Sequence, residues 1–106
     1  MRKDDAMRID KVINGGTTTI MPHGKLTVQA SPELTAAIEQ LPGAVCDFDI
    51  DLSDVDYVSS AGLRALAAAG QTAMRRGGRM RLLHPDESIM EVLEMSGLSK
   101  VLAIER

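Results

Sequence analysis

Hydrophobic positions change their spacing repeatedly along the chain. Short β-rich runs occupy residues 8–13, 17–21, 45–52 and 80–83, whereas residues 31–40, 60–76 and 87–95 repeat apolar side chains three and four positions apart. Alternation puts side chains on opposite faces of a strand, and the longer period gathers them into one stripe of a helix. The pattern therefore predicts strands alternating with helices. Residues 8–13 and 17–21 flank Asn14-Gly15-Gly16, turn chemistry that tolerates positive φ and predicts a hairpin. In residues 45–52, Asp47, Asp49 and Asp51 alternate with Phe48, Ile50 and Leu52, which predicts one buried face and one solvated face.

Each helix carries its own punctuation. Ser31 as cap, Pro32 in the first turn and Glu33 near the positive helix end open the first, with Leu34, Ala37, Ile38 and Leu41 on one face and Pro42-Gly43 as the stop. The second presents Leu63, Leu66, Ala67, Gly70, Ala73 and Met74 at helical spacing, and ends where Arg75 and Arg76 complement the negative pole and Gly77 offers a left-handed cap. The third, with Ile89, Met90 and Leu93 inward, runs to Gly97, and residues 101–104 predict a last strand. The order β-β-α-β-α-β-α-β is that of a single α/β domain: a mixed sheet of four to five strands, right-handed crossovers and about three packed helices.

Bulk properties narrow the function. With 106 residues the chain has the length of one domain, read as a short charged lead over residues 1–6 and a folded unit over 7–106. A net charge of −3, acidic residues gathered between Asp47 and Asp56, one Tyr and one Phe oppose direct nucleic-acid binding, which needs phosphate-neutralising charge and stacking surfaces. Cys46 is the lone cysteine, so no intrachain disulfide forms, and no apolar run is long enough to span a bilayer. A cytoplasmic protein without membrane insertion is the expectation. The seven methionines read as core fillers, with Met74, Met90 and Met95 available to an adaptable surface.

The residues that carry chemistry lie between Asp51 and Leu63. Leu52, Val55 and Val58 lead to Ser59 and Ser60, both helix-start candidates whose hydroxyl could accept from orphaned first-turn N–H groups. The five aspartates of residues 47–56 do not make a calcium loop, because Leu52 and Val58 stand where glycine and glutamate are required. No metal or other cofactor is expected. Ser60 lacks the Gly-x-Ser-x-Gly elbow of a catalytic nucleophile, and His23 and His84, each beside Gly or Pro, read as exposed turn residues rather than bases. Gly15-Gly16 and Gly77-Gly78 lack the Lys-Ser/Thr of a phosphate-binding loop.

Asp51-Leu52 followed by Ser59-Ser60-Ala61-Gly62-Leu63 resembles the central motif of the STAS domain family in the form of the bacterial anti-sigma factor antagonists. Gly24-Lys25-Leu26 with Ser31-Pro32-Glu33-Leu34, Gly77-Gly78-Arg79-Met80 and Ser96-Gly97-Leu98 resemble further family motifs, and the likeness covers roughly residues 8–104. It implies a non-enzymatic protein that docks, unphosphorylated, on a serine kinase doubling as anti-sigma factor. Ser60 would be the residue phosphorylated to end the docking, and a serine phosphatase would be a further partner. Ser59 stands where many members have Asp, and Ala61 where a second hydroxyl is often present.

The implied docking surface comprises Ser59, Ser60, Ala61, Gly62, Leu63, the outward helix face around Arg64, and the turn of Gly24, Lys25, Leu26 and Thr27, with Gly62 permitting close approach. Asp51 would support the loop by accepting backbone N–H groups. The alternatives are a STAS subunit of a membrane lipid-transport complex, with Ser60 an unmodified cap, and a receiver-like phosphoacceptor at Asp51. The latter lacks an early acidic pair, since the first strand ends in Val12-Ile13-Asn14.

Overall fold

The computed structural model describes residues 7–106, and the charged lead expected over residues 1–6 lies outside them. Two antiparallel strands, β1 (Arg8–Asn14) and β2 (Thr17–Leu26), form the expected hairpin, closed through Gly15 at φ +66°. They are followed by α1 (Ser31–Glu39), β3 (Asp47–Asp51), β4 (Val55–Val58), α2 (Ser60–Arg75), β5 (Met80–Leu83), α3 (Glu87–Met95) and β6 (Ala103–Glu105). The sheet runs β1-β2-β3-β5-β6, with β4 added beside β2, and every pairing after the hairpin is parallel. The α/β fold is thus the expected one, with six strands in the sheet.

The added strand follows from the length of β2. The β-rich run visible in the sequence ends at Met21. In the structure it continues through Pro22 and His23 to Leu26. Those two residues fall between the stretch paired with β3, Thr17 to Ile20, and the stretch paired with β4, Gly24 to Leu26. On that side of β2 no registered partner faces them.

The core lies between the sheet and the helices. Ile20, Leu26, Phe48, Ile50 and Leu82 from the strands, with Leu52 just after β3, meet Leu34, Ile38, Leu66, Ile89 and Leu93 from the helices, all 2 % exposed or less. Each such side chain contributes about 1.5–3 kcal/mol by leaving water. The other alternation of the strands is polar, and there the expectation of a solvated aspartate face needs correction. Asp49 is 5 % exposed and receives a two-pronged ion pair from Arg81, Nε at 3.0 Å and Nη2 at 2.8 Å. Centrally placed strands hide even a polar face when a long neighbouring side chain lies across it. The Asp49 hydrogen bond and charge, then Glu105, hold the Arg81 guanidinium even more firmly protonated than usual.

Two helix starts also differ from expectation. Ser31 is not the cap of α1: Ala30 occupies that position, Thr27 Oγ1 accepts from the Ala30 N–H, and the Ser31 hydroxyl donates to the Thr27 carbonyl. For α3 the cap is Asp86, whose carboxylate accepts from the Ile89 N–H at 2.8 Å and whose pKa is lowered, first by that bond. The last strand begins at Ala103 rather than at residue 101, because Leu98–Lys100 coil into a 3-10 turn after Gly97. Arg76 has a role that the sequence did not suggest. Its guanidinium donates to the carbonyls of Leu41, Pro42 and Val45, tying the loop after α1 to the end of α2.

Candidate functional site

The site is built where β2 and β4 end side by side. Lys25 pairs with Tyr57 and Leu26 with Val58, and the Ser59 N–H donates to the Leu26 carbonyl at 2.9 Å. A parallel pairing needs the chain to cross over, so residues 24–27 and 59–63, far apart in sequence, become neighbours. The two stretches singled out in the sequence form one surface. The approach to it is fixed at the other end as well, by the Gly24 N–H donating to the Asp54 carbonyl at 2.9 Å.

The two serines divide the work. Ser59 has extended backbone (φ −78°, ψ 170°), is 6 % exposed, and its Oγ accepts from the Gly62 N–H at 3.0 Å. It is the N-cap of α2, satisfying one of the orphaned first-turn donors. Ser60, the first residue of the helix, is exposed. Its hydroxyl takes no part in the cap.

Around Ser60 the exposed side chains are mixed. Arg64 stands one turn along α2, Val28 is 60 % and Tyr57 48 % exposed, and Lys25 Nζ lies 3.3 Å from Asp56 Oδ1. An exposed pair of this kind contributes little to stability. A shallow groove of about 430 Å³ runs from this surface between α1 and α2, lined by Val28, Pro32, Ala61, Arg64 and Ala65 among others.

Several residues expected at the surface are placed elsewhere. Leu26 is fully buried, and Gly62 is buried against it: a Cβ at Gly62 would lie 2.9 Å from both Leu26 Cγ and the Leu26 carbonyl oxygen. The glycine thus serves the seating of α2 on β2, and a partner could not reach it directly. Leu63 is half-buried against the core. Gly24, Lys25 and Leu26 belong to β2, and only Thr27 opens the turn. Asp51 is half-buried, and its Oδ1 accepts from the Ser53 N–H at 2.9 Å, which shapes the turn between β3 and β4.

His23, expected in an exposed turn, is a β2 residue 21 % exposed whose Nδ1 lies 2.6 Å from Asp54 and Nε2 2.8 Å from Asp10. It links β1, β2 and the turn before β4. Only the length of β2 could have revealed it. His84 is exposed, as expected, at φ 55°. Among the described residues no group of three or more His, Cys, Asp or Glu is placed to hold a metal ion, and no helix is long and apolar enough to cross a membrane.

A family model, STAS domain, matches residues 8–106. The chain is similar to the anti-sigma-B factor antagonist of Bacillus subtilis (strain 168), 26% identical over 81 residues that make up 76% of this chain and 74% of the relative. Its fold resembles the crystal structure of an anti-sigma factor antagonist from Mycobacterium paratuberculosis, with a TM-score of 0.85, 21% identity and coverage of 99% of this chain and 90% of the other. It also resembles the Bacillus cell fate determinant SpoIIAA in its phosphorylated form, with a TM-score of 0.70, 21% identity and coverage of 92% and 89%.

Proposed function

The chain belongs to the STAS domain family, and on that footing we propose that it is a cytoplasmic anti-sigma factor antagonist switched by phosphorylation. In this reading the unphosphorylated protein docks on a serine kinase that is also an anti-sigma factor, releasing the sigma factor. Phosphorylation of Ser60 ends the docking, and a serine phosphatase resets it. The protein itself performs no catalysis.

One observation carries the reading: at the start of α2 the buried serine is the cap and the exposed serine is free. A helix start tolerates a phosphate through its N–H groups and dipole. The added charge of about −1.5 to −2 then weighs on the partner interface instead of on the fold. The exposed Lys25, Tyr57 and Arg64 and the half-buried Thr27 and Ala61, with the groove between α1 and α2, supply the rest of the docking surface.

Incubation with the cognate kinase and ATP, followed by peptide mass spectrometry, tests the assignment. Phosphate is expected on Ser60. Phosphate on Ser59 alone or on Asp51 refutes it, and a protein that ignores such kinases yet co-purifies with transporter subunits belongs to the transport alternative. Ser60→Asp is expected to weaken kinase binding at least about tenfold, or about 1.4 kcal/mol, whereas Ser60→Ala binds as the parent does.

A further inference from the structure

Four of the seven arginines among the described residues have a side-chain partner. Arg8 pairs with Asp10, Arg75 with the Thr72 hydroxyl, Arg76 with three carbonyls, and Arg81 with Asp49 and Glu105. Arg64 is exposed and has no such side-chain partner among the described residues, although it stands only four positions after Ser60 on the same helix. Residues at this spacing are surface neighbours, with Cβ atoms about 5–6 Å apart. Side chains on a helix also lean toward its N-terminus, so the Arg64 stem points back over the turn that begins at Ser60.

We propose that Arg64 folds onto a phosphate carried by Ser60 and holds it against the helix as an intrahelical ion pair, a step that rests on the reading of Ser60 as the modified residue. The order is the favourable one, with the anion N-terminal to the cation and close to the positive helix pole. The first turn adds little competition. Ser59 already takes the Gly62 N–H through its hydroxyl and the Leu63 N–H through its carbonyl, so neither donor is left for the phosphate. Glu39 borders the same groove as Arg64 but forms no ion pair with it among the described residues. The consequence is regulatory. A free phosphoserine ionises a second time near about pH 6, and a guanidinium beside it favours the dianion, so the blocking charge is complete at neutral pH.

The test installs phosphoserine at position 60 during translation, so that no kinase is required, and follows the second ionisation by phosphorus NMR at low salt. Arg64→Gln is expected to raise the midpoint by about 0.3 unit or more, about 0.4 kcal/mol at about 1.36 kcal/mol per unit. Arg64→Lys is expected to recover part of the shift, and about 1 M salt, where the Debye length is about 3 Å, to shrink it. Coincident midpoints for the parent and Arg64→Gln overturn the proposal. If a kinase leaves Ser60 unmodified, the signalling reading fails, yet this titration still decides whether the pair forms.

Discussion

Replacing Gly62 by alanine is expected to destabilise the domain, although alanine is the better helix former. The new Cβ would stand 2.9 Å from Leu26 Cγ, 2.9 Å from the Leu26 carbonyl oxygen and 3.0 Å from Leu26 Cδ2. Comfortable carbon contacts lie at about 3.5–4.0 Å, so the helix start or the end of β2 must give way by roughly half an ångström or more. Neither is free to move. Leu26 is fully buried, and its carbonyl is the acceptor for the Ser59 N–H.

Overpacking of this kind costs about 1–3 kcal/mol, against at most about 1 kcal/mol gained from alanine's helix propensity. Taking the middle of the overpacking range, about 2 kcal/mol, the net expectation is a loss of about 1–2 kcal/mol, or about 4–16 °C in melting temperature for a domain of this size. Urea denaturation followed by circular dichroism measures it, with Ala68→Gly on the exposed face of α2 as a separate gauge of the propensity contribution. A Gly62→Ala midpoint at or above the parent's, with an unchanged denaturant slope, would refute the close-packing argument.

Ser59→Ala removes the cap of α2 and is expected to cost about 1 kcal/mol, while leaving Ser60 phosphorylatable in the kinase assay. Asp49→Ala strips the buried acceptor from Arg81 and is expected to cost roughly 1–3 kcal/mol in chemical denaturation, a penalty that a solvated aspartate would not incur. The lowered pKa of Asp86 means that its cap stabilises the fold above the unfolded value of 3.8 and that this contribution is lost as pH falls through the folded value. Melting temperatures followed into acid are accordingly expected to fall less steeply for Asp86→Ser than for the parent, and parallel curves would count against the cap.

What the sequence determined by itself was local. Helix spacing, Pro42-Gly43, Gly77 and Gly97 marked the helices to within a residue or so, because caps, breakers and periodicity act over a few neighbouring residues. The Ser59-Ser60 pair was legible as a helix start for the same reason. Which serine would cap was not, since either hydroxyl could accept, and the choice falls to the parallel pairing of β4 with β2 that sets the entry angle of α2.

Tertiary structure decided everything that depends on partners distant in the chain. The β-rich run in the sequence stopped at Met21, yet β2 continues to Leu26, passing from β3 to β4 as its neighbour. Asp49 looked solvated until Arg81 was laid across it, and His23 looked free until Asp10 and Asp54 were brought to its two nitrogens. Gly62 looked like a contact for a partner, but long-range packing turned it inward to Leu26. The alternating pattern states that a side chain lies on one face of a strand or helix; only the assembled sheet determines what covers that face, and hence whether a charge, a ring or a missing side chain meets water or protein.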